Sequence, residues 1–327
     1  MKVRVAKWDN LKFFLIFCVV AGHFLARIED LPNAQRVIFL IYSFHMPAFM
    51  FLSGLMSNRT VEQKCYDKIF GYLVAFLMIK LVLLSLRVVY SHDTTLDVLK
   101  MNDISWYAFV LFVYYMATIF LGQFHPAWTL TFSVILACLI GYAPAFNTWL
   151  SASRLFTFYP FFLAGYYTDP GKLLAFTGRK PVKIASGVCM TAAAVFIVLK
   201  IERINWLLKI LKGKWAYESL EKMNTQGAFL RLGWYAAAGV LVIALIALMP
   251  SVHSFITTLG SRTLAVYILH YIPMNLFFKT FHGKEWVLRV GHSTLLVLLA
   301  SLAATLILSI KPITLAINKC ISPPKWK

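Results

Sequence analysis

Acidic residues are scarce in this 327-residue chain: 13 Asp and Glu stand against 32 Lys and Arg, for a formal charge of +19. Its five cysteines (Cys18, Cys65, Cys138, Cys189 and Cys320) are scattered and form no Cys-x-x-Cys pair. Neither a disulfide framework nor a zinc site is therefore indicated, and no metal is expected. A long polar insert, an internal repeat and a low-complexity tail are all missing, so nothing marks a second domain. The short alternating segments of an outer-membrane barrel are missing too. What abounds is apolar surface: 60% of residues are hydrophobic and 16% aromatic, with a mean hydropathy of +0.72. Apolar runs of about 17 residues or more recur from end to end, each long enough for a transmembrane helix. The chain reads as an all-α, polytopic integral membrane protein, with one membrane domain over residues 1–327.

About ten transmembrane helices are expected, near 11–27, 37–55, 67–90, 104–121, 127–144, 154–168, 182–199, 229–249, 261–280 and 292–311. The basic residues sit mostly in the loops between them. That placement points to membrane lipid with anionic headgroups, and secondarily to an anionic ligand, rather than to nucleic acid. MKVRVAK followed by an apolar run has the outline of a signal peptide, but His23 and Arg27 stand where small cleavage-site residues belong. An uncleaved first span is expected instead. The charge of the short loops places both termini in the cytoplasm, in a plasma or inner membrane, and Lys311, Lys319, Lys325 and Lys327 agree. The long basic loop 200–231 then lies outside. Within it, INWLLKILKGKW carries apolar residues at 204, 207, 208 and 211 beside Lys209, Lys212 and Lys214. That spacing predicts an amphipathic helix in the membrane interface, or else part of an acceptor-binding surface.

The first apolar stretch, Lys7 to Arg27, carries Asp9, Lys12 and His23. At about 100° and 1.5 Å per residue, Lys12 and His23 fall on one helix face roughly 16 Å apart. Lys12 is thus too far away to exchange a proton with His23. Ionisable groups in such a segment usually face a bundle interior or wet cavity and mark function. A polar packing contact for His23 and a snorkelling Lys12 are the alternatives. In the second span His45 precedes Pro47, which frees backbone carbonyls beside a polar side chain. Lys80 and Arg87 share a face of the third span; Arg87 reads as snorkelling outward, and Lys80 is left open.

Four blocks in order carry a family resemblance. Asp9-x-Leu11-Lys12 with His23 eleven residues on is similar to the opening helix of the membrane-bound acyltransferase-3 family. FHMPAFMFLSG (Phe44 to Gly54) resembles its F-H-x-P-x-F-F-F-x-S-G block, and Ser105-Trp106-Tyr107 its tryptophan-aromatic entry. GSRTLAVYILH (Gly260 to His270) resembles its G-x-x-[ST]-L-x-x-Y-x-x-H block, and the whole is most similar to the fucose 4-O-acetylase-like branch. The resemblance implies an integral-membrane O-acyltransferase moving acetyl, or another acyl group, from acyl-CoA to a hydroxyl of a cell-envelope glycan or lipid-linked sugar. It implies His23 as catalytic base, Lys12 at a CoA phosphate, and Asp9 orienting Lys12 or capping the helix. His45, Ser53, Trp106, Tyr267 and His270 would bind the acceptor or position the thioester. The family's R-x-x-R pair after the second span is missing; Arg59, Lys64 and Lys68 stand there instead. Lysine still meets phosphate as a point charge, without arginine's planar fork.

The chemistry suits these residue types. A sugar hydroxyl is a very weak acid that must lose its proton as it attacks, and a neutral imidazole at hydrogen-bond distance accepts it. An apolar setting favours that uncharged form. The thiolate leaving group needs little acid help, since thiols ionise near pKa ~8.5. The rival reading is a secondary transporter or flippase with His23 and His45 as polar gates. Transporters often carry inverted repeats, and no such symmetry is visible in this chain.

Overall fold

The computed structural model describes residues 5–147 and 149–321, so the tail lysines Lys325 and Lys327 lie outside the described residues. In chain order the helices are α1 (Ala6–Leu25), α2 (Ala34–Leu55), α3 (Asn58–Glu62), α4 (Tyr66–Ser91), α5 (Trp106–Leu121) and α6 (Pro126–Leu139). There follow α7 (Ala152–Tyr167), α8 (Pro170–Gly178), α9 (Lys180–Ile204), α10 (Leu208–Leu211), α11 (Gly227–Leu248) and α12 (Phe255–Gly260). The last are α13 (Thr263–Leu269), α14 (Tyr271–Asn275), α15 (Gly283–Val290), α16 (Thr294–Leu308) and α17 (Lys311–Ile321). Among the described residues there is no β-strand beyond the single bridge of Lys100 with Trp149.

Among the described residues five helices are long and apolar enough to cross a membrane: α1, α2, α4, α11, and α9 taken with the turns that follow it to Leu211. The pair α16–α17, bent by 65°, makes a sixth if counted as one span. The expected spans at 104–121, 127–144 and 154–168 are shorter helices of 16, 14 and 16 residues. Sixteen residues rise only about 24 Å, less than the ~30 Å hydrocarbon core. The expected span at 261–280 is interrupted: α13 stops at Leu269, α14 follows, and Leu276–Thr280 is a π-helical turn. Pro273 explains the break, because it offers no N–H to the carbonyl of Leu269 four residues back. The 205–211 stretch is a 3-10 turn followed by one α-helical turn, with Ile210 and Leu211 buried.

The chain divides into two compact units. The first comprises Met1–Ile41, Leu77–Leu96 and Met249–Lys327, and the second Tyr42–Phe76 and Asp97–Leu248. In the first unit α1 is the centre: Leu11, Leu15, Ile16, Val20 and Phe24 are buried, and α12, α13 and α16 pack around it. Asn10 anchors its start. The amide nitrogen donates to the carbonyls of Pro250 and Val252, both at 3.0 Å, and the amide oxygen accepts from Thr257 Oγ1 at 2.7 Å. Next to it Gly260 touches the backbone of Asp9 so closely that a Cβ would lie 1.8 Å from the Asp9 carbonyl oxygen.

In the second unit, two glycines bring α2 and α7 into backbone contact. A Cβ at Gly54 would fall 1.9 Å from the Phe162 carbonyl oxygen, and one at Gly165 would fall 2.0 Å from that of Phe51. Small residues allow this approach between helices that have little else to drive them together in lipid. Arg231, at the head of α11, is 0% exposed. Its Nη1 donates to the Ala137 carbonyl (2.7 Å) and to Thr157 Oγ1 (2.9 Å), and the guanidinium lies 4.8 Å from the Tyr217 ring centre. Counted in sequence with the loop cations, it is instead a buried tie among α6, α7 and α11.

Candidate active site

In the first unit, α1 delivers Asp9, Lys12 and His23, and the α13–α14 junction delivers Tyr267, His270 and Tyr271. Asp9 is buried in the first turn of α1, and Lys12 Nζ sits 3.4 Å from its carboxylate. The N-cap residue is Val5, which has no side-chain cap bond, and Asp9 stands in the first turn that follows. An incoming phosphate at Lys12 would compete with that carboxylate.

His23, half-buried in the last turn of α1, stacks on His270 with ring centres 5.3 Å apart and planes 29° off parallel. Tyr271 meets His23 edge-on at 5.5 Å. His270 is 0% exposed, and its Nδ1 lies 2.9 Å from the Tyr267 carbonyl and 3.2 Å from that of Val266. Carbonyl oxygens only accept, so this network assigns the proton to Nδ1 and the lone pair to Nε2. Nε2 is buried without a hydrogen-bond partner. The pair therefore presents a fixed tautomer whose basic nitrogen is uncommitted, beside a second imidazole.

The second unit holds the other expected residues. His45 is buried and meets the Tyr42 ring edge-on at 4.8 Å. Ser53 Oγ and Tyr107 Oη are 3.1 Å apart, and Trp106 stacks on Phe158 at 5.6 Å. Arg59 Nε donates to Gln63 Oε1 (3.0 Å) and Lys68 Nζ to Thr60 Oγ1 (2.9 Å), both on the surface after α2.

Three further cations lie against aromatic rings, of which the sequence reading names Lys212 and Lys214 but not Arg154. Arg154 lies 4.7 Å from the Trp106 ring centre, Lys212 Nζ 5.4 Å from that of Tyr42, and Lys214 Nζ 4.3 Å from that of Trp215. Arg154 had a signal, as a charge at the head of an apolar run. The lysines were expected on an interfacial helix or an acceptor-binding surface, and here the helix ends at Leu211 so that a turn at Gly213 presents them.

The sequence profile of a family described as an acyltransferase domain matches residues 5–313. Among curated proteins, nodulation protein NolL of Mesorhizobium japonicum is 25% identical over 325 residues, covering 90% of this chain and 83% of that protein. No solved structure matches.

Proposed function

The chain belongs to the membrane-bound acyltransferase-3 family, and from that premise we propose that this multi-pass membrane protein is an O-acetyltransferase acting on a cell-envelope glycan or lipid-linked sugar. Acetyl-CoA, or another short acyl-CoA, is the donor on the cytoplasmic side. The stacked His23–His270 pair, with a tautomer held by two backbone carbonyls, is the observation that carries this reading.

The acceptor hydroxyl oxygen attacks the thioester carbonyl carbon while its proton passes to an imidazole nitrogen of His23. The C–S bond then breaks, and the sulfur leaves as a thiolate that recovers a proton from the imidazolium. His270 contributes through charge. Two imidazolium rings at this separation repel, so a neutral His270 leaves His23 as the ring that takes the proton. Tyr271, edge-on to His23, limits the tilt of the ring. Lys12, aligned by Asp9, and Arg59 and Lys68 are assigned to the donor's phosphates. His45, Ser53, Trp106 and Tyr267 are assigned to the acceptor. About ten spans, with both termini in the cytoplasm, complete the reading.

The test uses purified full-length protein with radiolabelled acetyl-CoA and envelope glycan. Label transferred to a glycan hydroxyl, and lost in His23→Ala, is expected. Glycan movement across vesicles without label transfer would overturn the enzyme reading in favour of transport.

A further inference from the structure

We propose that the second unit carries a binding site for the phosphate or diphosphate of a lipid-linked sugar, formed by Arg154, Lys212 and Lys214; this rests on the acyltransferase reading and names its acceptor class. The site is built by backbone, not by chance proximity of surface chains. Ser153 Oγ donates to the Gly213 carbonyl (2.9 Å) and Arg154 Nε to the Lys212 carbonyl (3.5 Å), which lays the 212–214 turn on the start of α7. Gly213 adopts φ +59°, a left-handed conformation in which glycine is unstrained, and a Cβ there would press on Thr157 and Phe158 at 3.0 Å. The turn thus places one lysine on each side of a glycine, next to an arginine.

Among the described residues no carboxylate is ion-paired with Lys212 or Lys214; aromatic faces are their neighbours. Partial burial, together with repulsion from Arg154 and Lys212, lowers the Lys214 pKa, as expected of converging like charges. Such convergence is unfavourable until an anion offsets it. Two ammonium point charges beside a planar guanidinium suit a phosphate or diphosphate better than a single carboxylate.

Two observations favour the lipid-linked acceptor over CoA as the source of the phosphate. A cavity of about 450 Å³ between α5, α6 and α7 is almost wholly apolar and is lined by Leu155 and Phe156, the two residues after Arg154. A hydrocarbon chain attached to a phosphate at Arg154 has that cavity beside it. The donor's assigned cations Arg59 and Lys68 follow the far end of α2, and from Tyr42 to Leu55 that helix rises about 20 Å. The second unit therefore has two cationic groups at opposite ends of one helix.

Binding of farnesyl diphosphate, inorganic pyrophosphate and CoA to the full-length protein in detergent micelles tests this directly. Farnesyl diphosphate is expected to bind most tightly. Its affinity should fall about tenfold or more in the Lys212→Gln/Lys214→Gln double variant and recover with arginine at both positions. Arg154→Gln serves as the second probe should the double variant fail to fold. Unchanged affinity in the glutamine variants overturns the site. Equal binding of farnesyl diphosphate and pyrophosphate overturns its lipid source, and CoA binding tightest with loss in the same variants makes it a donor site. Expected binding without acetyl transfer would sink the enzyme reading while upholding the site.

Discussion

Replacing Gly260 by alanine tests how the stacked His23–His270 pair is held. A Cβ at that position would lie 1.8 Å from the Asp9 carbonyl oxygen and 2.5 Å from its carbon. A carbon needs roughly 3.3 Å from a carbonyl oxygen, so α12 and α1 must separate by about 1.5 Å. Both atoms are backbone and no rotamer change relieves the clash. Overpacking of this kind costs ~1–3 kcal/mol or more. The displaced helix leads through Ser261 and Arg262 into α13, which ends at Leu269 just before His270, while Asp9 belongs to the helix that carries His23. A misplacement near 1 Å at reacting groups costs about 10²-fold in rate. Gly260→Ala should therefore lower the melting temperature in detergent and cut acetyl transfer about 100-fold. Gly233→Ala in α11, where a Cβ meets nothing within 4 Å, is the control and should be near neutral. Wild-type stability and transfer rate in Gly260→Ala, or equal losses in both variants, would refute the reasoning.

Three further outcomes are expected. His270→Asn keeps a donor near the Nδ1 position for the Tyr267 and Val266 carbonyls and stays uncharged but removes the ring that stacks on His23; it should fold normally and lose less transfer than the about 10²-fold expected of His23→Ala, and a loss as large as that of His23→Ala would make His270 the base. Lys12→Gln should weaken acyl-CoA binding more than Lys12→Arg does, measured by equilibrium binding, and equal affinities would release Lys12 from the donor. For topology, a thiol reagent that cannot cross the membrane should label a cysteine at exposed Glu218 in intact cells yet reach the native, exposed Cys320 only after permeabilisation, each in a single-cysteine background; the reverse pattern would invert the orientation.

Several features of the site were legible because they are periodic. Eleven residues of helix put Lys12 and His23 on one face whatever surrounds them, and Asp9, three residues before Lys12, meets it as i,i+3 neighbours do. The glycines of two recognised blocks, Gly54 and Gly260, have a structural cause that sequence conveys only as a motif: each lies against the backbone of another helix. Hydropathy found the apolar segments but overstated their continuity at 261–280, since it averages over Pro273 and does not register a lost backbone bond. Arg231 was misjudged for the same reason. Its position at the edge of an apolar run says nothing of the Ala137 carbonyl and Thr157 hydroxyl that receive it.

By itself the sequence determined the class of the protein, the helical faces of its ionisable residues and the chemistry those residue types support, because each depends on composition or on neighbours within a few turns. Tertiary structure alone decided that His23 stacks on His270, distant in the chain, and which nitrogen of His270 keeps its lone pair. It also decided that a glycine turn gathers Lys212 and Lys214 against Arg154. Those properties arise from contacts between segments far apart in sequence, where a carbonyl's direction or the absence of a single Cβ sets the distance, and no local periodicity encodes either.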